Sequence, residues 1–98
     1  MNIVKNGLNT IRFFDGLNCF PLGNSIAELE VRDHNSKTVF IFNVNITKVG
    51  TKVTFDITVQ SPTDLPNQIV DLKLNVDYYF ILRLLGEIHY YDIIRVCS

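Results

Sequence analysis

The chain has 98 residues, 47% of them apolar, and a formal net charge of −1. Alanine, the best helix former, occurs only at Ala27, whereas the β-favouring residues Ile, Val, Thr, Phe and Tyr are abundant. This composition argues against an all-helical fold, and the apolar content argues against a disordered chain. We expect a single domain, residues 1–98, with one modest core and little room for a deep active site.

Alternation of apolar and polar residues with a period of two predicts β-strands along most of the chain. The cleanest example is Val53–Gln60, which places four apolar residues on one face and four polar residues on the other. In chain order, the predicted strands are Met1–Lys5, Asn9–Phe14, Ser25–Arg32, Thr38–Thr47, Val53–Gln60, Gln68–Leu74, Asp77–Leu85 and Ile88–Val96.

Turn-forming residues separate these strands. Asp33–Ser36, Gly50 and Gly86 mark tight turns, and Gly86 can take the positive φ that a two-residue hairpin requires. The loop Ser61–Asn67 contains two prolines, which cannot donate to a sheet ladder. Short strands at this spacing predict an all-β fold, an Ig-like or fibronectin-type β-sandwich of about seven antiparallel strands.

Tyr78 is a candidate for the tyrosine corner at the start of the sixth strand of such sandwiches, where the hydroxyl bonds to upstream backbone. A tyrosine simply packed in the core remains the alternative. Two immunoglobulin hallmarks are missing, because the chain has no Trp and its two cysteines are not spaced to bridge the sheets. The sequence therefore predicts a similarity of architecture and not a true immunoglobulin domain.

The segments Asn2–Ile11, Asp77–Leu82 and Gly86–Val96 together resemble small Ig-like virion proteins of tailed bacteriophages, especially crAss-like and related phages of gut Bacteroidetes. The resemblance implies a capsid-decorating, head-auxiliary or neck and tail component without enzymatic activity. Such a protein is located in the virion, is assembled in the bacterial host cytoplasm, and binds other virion proteins or itself. The long loop Pro62–Pro66 departs from the pattern.

No arrangement of residues points to catalysis, a metal or a cofactor. His34 and His89 stand alone, and no Cys-x-x-Cys, His-x-x-x-His, EF-hand or glycine-rich phosphate motif occurs. We therefore expect no enzyme, no metal site and no cofactor. The scattered charges also predict no nucleic-acid partner, and the short apolar stretches predict no membrane partner.

Cys19 and Cys97 lie far apart in the sequence. They are compatible with a disulfide or with two free thiols, and the lack of a secretion signal favours free thiols.

Asp92 shares one face of the last strand with apolar residues. If that face points inward, the carboxylate needs partners, and Arg83 or Arg95 could supply one.

The last two strands carry more apolar residues than a monomer needs. An exposed antiparallel sheet should keep one face polar, yet both faces of these strands, and of Val39–Phe42, are apolar. In an Ig-like sandwich the third, sixth and seventh strands share a sheet. Its outer face would then carry six apolar residues: Val39, Ile41, Tyr79, Ile81, Tyr91 and Ile93.

A contiguous apolar face of this kind usually marks a partner surface. The N-terminal segment or the long loop could cover it instead, and a meander of the middle strands would leave only the hairpin residues together. The alternative functions are a carbohydrate- or receptor-binding adhesion module, with Tyr79 and Tyr91 as stacking platforms, and an intracellular protein-binding inhibitor.

Overall fold

The computed structural model describes residues 2–97, so Met1, the first residue of the predicted N-terminal strand, and Ser98 lie outside it. The all-β prediction is confirmed, and the one 3₁₀ turn within these described residues, Leu65–Asn67, lies in the proline-containing loop. The strands are β1 (Asn2–Val4), β2 (Gly7–Phe14), β3 (Gly23–Arg32), β4 (Thr38–Val49), β5 (Lys52–Val59), β6 (Ile69–Val70), β7 (Asp77–Leu84) and β8 (Glu87–Val96).

These strands form one eight-stranded sheet that is nearly closed into a barrel. Its order is β1-β8-β7-β3-β4-β5-β2, with β6 pairing beside β5. The β1–β8 and β5–β6 pairs are parallel and the others are antiparallel. The consecutive strands β1 and β2 therefore lie at opposite edges of the sheet.

The middle strands β3, β4 and β5 form a meander of neighbouring antiparallel strands. Strand β3 lies between β4 and β7, so Val39 and Ile41 are not on a strand next to the C-terminal hairpin. Of the two arrangements compatible with the sequence, the described strands adopt the one that places the middle strands side by side.

The predicted strand Gln68–Leu74 is reduced to the two residues of β6. Its partner β5 ends at Val59, which pairs with Val70, so the ladder with β5 stops there, and Leu74 forms only an isolated bridge with Val96 of β8. The predicted turn at Gly86 occurs as expected, with φ +83° there and a positive φ at Leu85 as well.

The core lies between the inward faces of the long strands. Burial of one large apolar side chain contributes about 1.5–3 kcal/mol, so a set of this size accounts for the cohesion of the sheet. The largest fully buried side chains are Phe80, Leu29, Ile46, Ile57, Leu82 and Ile94.

Lys48 occupies an inward-facing position near the end of β4, where a charged side chain requires partners. Its ammonium lies 2.9 Å from Asp15 Oδ2, 2.9 Å from Asn18 Oδ1 and 3.0 Å from the Phe20 carbonyl oxygen. The Lys48 side chain is only 2% exposed, and that of Asp15 is 5% exposed. All three ammonium protons thus have acceptors supplied by the loop between β2 and β3.

Asp15 is held from both sides. Burial alone would raise the pKa of its carboxyl group, but hydrogen bonds from the backbone N–H groups of Phe20 and Cys19, and from Lys48, lower it overall. The loop also places the Phe20 ring in the core, 5.5 Å from the ring of Phe13 and 5.5 Å from that of His89. The ion pair therefore closes this end of the core.

Replacing Lys48 with Met should lower the free energy of unfolding by about 3–5 kcal/mol, because it leaves the buried Asp15 carboxylate without its cation. Urea unfolding at pH 7, followed by circular dichroism, measures the change. Lys52→Met is the matched control, since Lys52 is exposed on the next strand, and it should change stability by less than about 0.5 kcal/mol. Equal effects of the two substitutions would contradict the stabilising role of the pair.

Candidate protein-binding face

The outer face of the β7–β8 hairpin carries four of the six residues that the sequence singled out. Tyr79 pairs with Ile93, and Ile81 pairs with Tyr91. The rings of Tyr79 and Tyr91 stack with centroids 5.9 Å apart and an interplanar angle of 20°. We call these four residues the hairpin patch.

The members of the hairpin patch differ in exposure. Tyr91 is 59% exposed and Ile81 only 3%, while Tyr79 and Ile93 are half-buried. Ile81 pairs with Tyr91 on one side and with Glu30 of β3 on the other. Ile81 is therefore covered by its neighbours on the outer face, and Tyr91 is the residue that a partner could contact.

A charged residue separates the hairpin patch from β4. Across the sheet, Ile41 pairs with Glu30, Glu30 with Ile81, and Ile81 with Tyr91. The expectation of one contiguous apolar face is wrong in this respect, because β3 and its outward-facing Glu30 intervene. Ile41, which is 53% exposed, is an apolar side chain on the far side of that carboxylate.

Glu30 is buried on the outer face by the side chains that bind it. Its carboxylate accepts hydrogen bonds from Arg32 Nε at 2.8 Å and Arg83 Nη1 at 2.7 Å, and from the Thr38 hydroxyl. Hydrogen bonds from Arg32 and Thr38, together with Arg83 and the charge of Arg32, outweigh desolvation and lower the Glu30 pKa to about 2. The centre of this face is thus a fixed, charge-compensated group.

Val39 lies apart from the other predicted interface residues. The β3–β4 register shifts so that Val31 pairs with Phe40 and Arg32 pairs with Thr38, which leaves Val39 without a cross-strand partner in this ladder. It lines a groove with His34 and Val76 at the end of the sheet that holds the β3–β4 turn. The structure therefore brings the four residues of the hairpin patch together. Ile41 lies on the far side of Glu30, and Val39 lies apart from all of them.

Tyr78 is buried at the start of β7. Its hydroxyl accepts a 3.0 Å hydrogen bond from the backbone N–H of Lys73, five residues upstream. This contact joins the loop after β6 to the hairpin that carries the patch.

Asp92 points to the inner side of the hairpin together with Tyr90. Its Oδ2 accepts hydrogen bonds from Asn2 Nδ2 at 2.6 Å and from the Tyr90 hydroxyl at 3.0 Å. The two arginines proposed as partners form ion pairs elsewhere, Arg83 with Glu30 and Arg95 with Asp77. Burial and the neighbouring Asp92 carboxylate raise the pKa of Tyr90.

Residues with catalytic or metal-binding chemistry are dispersed. Within residues 2–97 no group of three or more His, Cys, Asp or Glu side chains is placed to hold a metal ion. Cys19 and Cys97 are both free thiols. His34 is exposed in the turn between β3 and β4, while the His89 ring packs against Phe20.

A second group of exposed apolar residues was not expected from the sequence. It lies at the end of the sheet where the β2–β3 loop meets the turn after β4, through a 2.7 Å hydrogen bond from the Asp15 N–H to the Thr51 carbonyl. Alternation predicts apolar strand faces, and turn-forming residues predict polar connections, so neither indicates this group; the signal in the sequence is leucine at turn positions, such as Leu85 beside Gly86. The exposed residues at this end are Phe14, Leu17, Leu22, Val49, Leu85 and Ile88.

Comparisons of the chain with protein-family models, with curated protein sequences and with solved structures found no match. In the part of the chain that the structure describes, no helix has the length and apolar character needed to cross a membrane.

The lowered pKa of Glu30 predicts a loss of stability in acid. An ordinary glutamate in the unfolded chain titrates near 4.5, whereas the folded pKa is about 2. The contribution of the Glu30 carboxylate is therefore fully present above about pH 4.5 and is lost as the pH falls towards about 2. Urea unfolding at several pH values should show this decline.

Glu30→Gln is the matched variant, because it keeps the size of the side chain and removes the charge. Its unfolding free energy should be lower at pH 7 and should depend less steeply on pH between about 4.5 and about 2. Parallel pH profiles for the two proteins would show that Glu30 is not held as a carboxylate by its arginines.

Proposed function

We propose that this chain is a non-enzymatic structural protein that binds other protein subunits through the outer face of its C-terminal hairpin, as a component of a phage virion. The observation that carries the proposal is the stacked Tyr79–Tyr91 pair with a largely exposed Tyr91. An antiparallel sheet that faces only water keeps its outer face polar. Here that face presents an aromatic platform on a rigid support.

The surroundings of Tyr91 suit a protein partner. Tyr and Arg are enriched at the centres of protein interfaces, and Arg32 and Arg83 lie on the neighbouring strands. The single carboxylate of Glu30 binds both arginines, at 2.8 and 2.7 Å, and balances one of their two charges, while Glu28 lies 4.0 Å from Arg83. A partner covering them therefore need not supply new counter-charges for both arginines. Ile41 extends the apolar area on the other side of this cluster.

The virion role is supported by the sequence resemblance of the N-terminal segment and the hairpin to Ig-like phage proteins. We also propose that the fold is a variant of the Ig-like sandwich. The neighbouring strands β3, β7 and β8 fit strands C, F and G of that sandwich. Strand β4 fits the strand that variable-type domains add beside C, and the β2–β5 pair fits the neighbouring strands B and E. The Tyr78 hydroxyl bond to Lys73 fits a tyrosine corner.

The stacked tyrosines also favour a second candidate, a carbohydrate- or receptor-binding adhesion module. Tyr91 offers an exposed ring on which a sugar could stack. Glycan-array binding that is lost in Tyr91→Ala would support this function over the structural one. An intracellular protein-binding inhibitor would use the same face. Capture of a soluble enzyme as the partner would identify this function.

Tyr91→Asp should abolish binding to the partner while leaving the fold intact, because Tyr91 is exposed and Asp introduces an uncompensated charge into the interface. The measurement is co-purification of the tagged chain with the products of the genes that flank its own, among which the proposal expects capsid, portal or tail proteins. Ile81→Asp is unsuitable, since Ile81 is 3% exposed and the substitution would unfold the hairpin.

Val49→Asp is the matched control, an exposed apolar residue on β4 that lies away from the hairpin patch. Wild type and Val49→Asp should retain the partner, and Tyr91→Asp should lose it. Failure of the wild-type chain to retain any of these proteins, or equal retention by all three, would contradict the proposed function.

A further inference from the structure

Strand β2 forms an open edge of the sheet. Within residues 2–97 its only strand neighbour is β5, with which it pairs over its full length from Gly7–Val59 to Phe14–Lys52. The opposite edge consists of the three residues of β1 and of the part of β8, from Glu87 to Ile93, that β1 does not cover. An edge of eight residues without proline or a bulge is a template for pairing with another strand.

The direction of the backbone groups of β2 follows from its neighbours. The Thr58 N–H donates to the carbonyl of Gln68, just before β6, and the Gln60 N–H donates to the carbonyl of Val70 in β6, both on the side of β5 away from β2. Val59 and Ile57 must therefore bond to β2, through Gly7 and Asn9, and the alternation continues through Ile11 and Phe13. The N–H and C=O groups of the intervening residues point to the free edge: Leu8, Thr10, Arg12 and Phe14.

The side chains of these same four residues lie on the outer face. Leu8 is 71% exposed and Phe14 is 74% exposed. Thr10 donates a 2.6 Å hydrogen bond to Asp56 Oδ1 on β5, and Arg12 is exposed two residues further along β2. The edge thus presents one apolar residue near each end and the cation Arg12 in between, while the anion Asp56 lies one strand behind it on β5.

We propose that β2 pairs antiparallel with β2 of a second copy, with Ile11 on the two-fold axis. In this register Leu8 lies opposite Phe14 of the other copy, and Thr10 lies opposite Arg12. All four free N–H groups then meet free carbonyl groups in narrow hydrogen-bonded pairs. Apolar cross-strand pairs form at both ends of the shared ladder.

Charge complementarity favours this occupant and this register. Arg12 of one copy lies two strand spacings, about 9.6 Å, from Asp56 of the other, which an extended arginine side chain spans. The pair forms twice, by symmetry. An axis at Arg12 would place two arginines opposite each other, and an axis at Thr10 would place Leu8 opposite Arg12 and Phe14 beyond β2 of the other copy.

Sedimentation equilibrium across a concentration series tests the proposal, with backbone amide exchange measured by NMR on the same samples. The amides of Asn9, Ile11 and Phe13 should be protected at every concentration, because they bond to β5. Those of Leu8, Thr10 and Arg12 should become protected only as the dimer forms. Thr10→Pro should abolish the dimer, whereas Thr10→Val, which keeps the N–H group, should retain it.

The charges of Arg12 and Asp56 provide a second, independent test of the proposal. Arg12→Asp and Asp56→Arg should each raise the dimer dissociation constant about tenfold, and the double variant should restore it to within about threefold of wild type. Lys37→Asp, in a distant turn, is the control and should leave the constant unchanged.

Three outcomes would overturn the proposal. The first is a wild-type chain that stays monomeric up to about 1 mM. The second is a dimer that is indifferent to Thr10→Pro and to the charge exchange. The third is protection of the Leu8 and Thr10 amides in the monomer. Because β2 and the hairpin patch are on different strands, dimerisation and partner capture can fail independently.

Discussion

The fold depends on a buried ion pair between Lys48 and Asp15. Lys48 continues the inward-facing series of β4, so its charge enters the end of the core and has to be compensated there. The loop after β2 supplies three acceptors, and Asp15 in turn accepts the N–H groups of Cys19 and Phe20. The conformation of this loop and the closure of this end of the core therefore depend on each other, because removing either charge leaves the other buried and uncompensated.

This constraint fixes the arrangement of the functional surfaces. The tethered loop places Phe20 against Phe13, and Phe13 stacks on Tyr90 of β8 at 4.5 Å, so side chains of the two edge regions meet in the interior. The core thus closes through side chains beside β2, while the backbone edge of β2 stays open. On the outer face the same rule of compensation operates at Glu30, whose arginines set the boundary between Ile41 and the hairpin patch.

The sequence was sufficient for the all-β class, for most strand positions and for the hairpin turn, because each depends on local alternation or on turn residues. It also placed Tyr79 and Tyr91 on one surface, since neighbouring residues of a tight hairpin stay together in any topology. It did not reveal that β3 separates β4 from β7, because strand order depends on long-range pairing. It gave no warning that Ile81 is covered, since that depends on side chains from other strands. Lys48 lies in phase with the inward-facing residues of β4, but the predicted strand ended one residue earlier, at Thr47.

The Lys48 ammonium is buried and fully hydrogen-bonded by the β2–β3 loop. A ¹H–¹⁵N correlation spectrum of the lysine side-chain ammonium groups, recorded at neutral pH and moderate temperature, tests it most directly. Lys48 should give a resolved, slowly exchanging ammonium signal that disappears in Lys48→Met, while the exposed lysines exchange with water too fast to be seen. A Lys48 ammonium that exchanges as fast as those of Lys37 and Lys52 would contradict it.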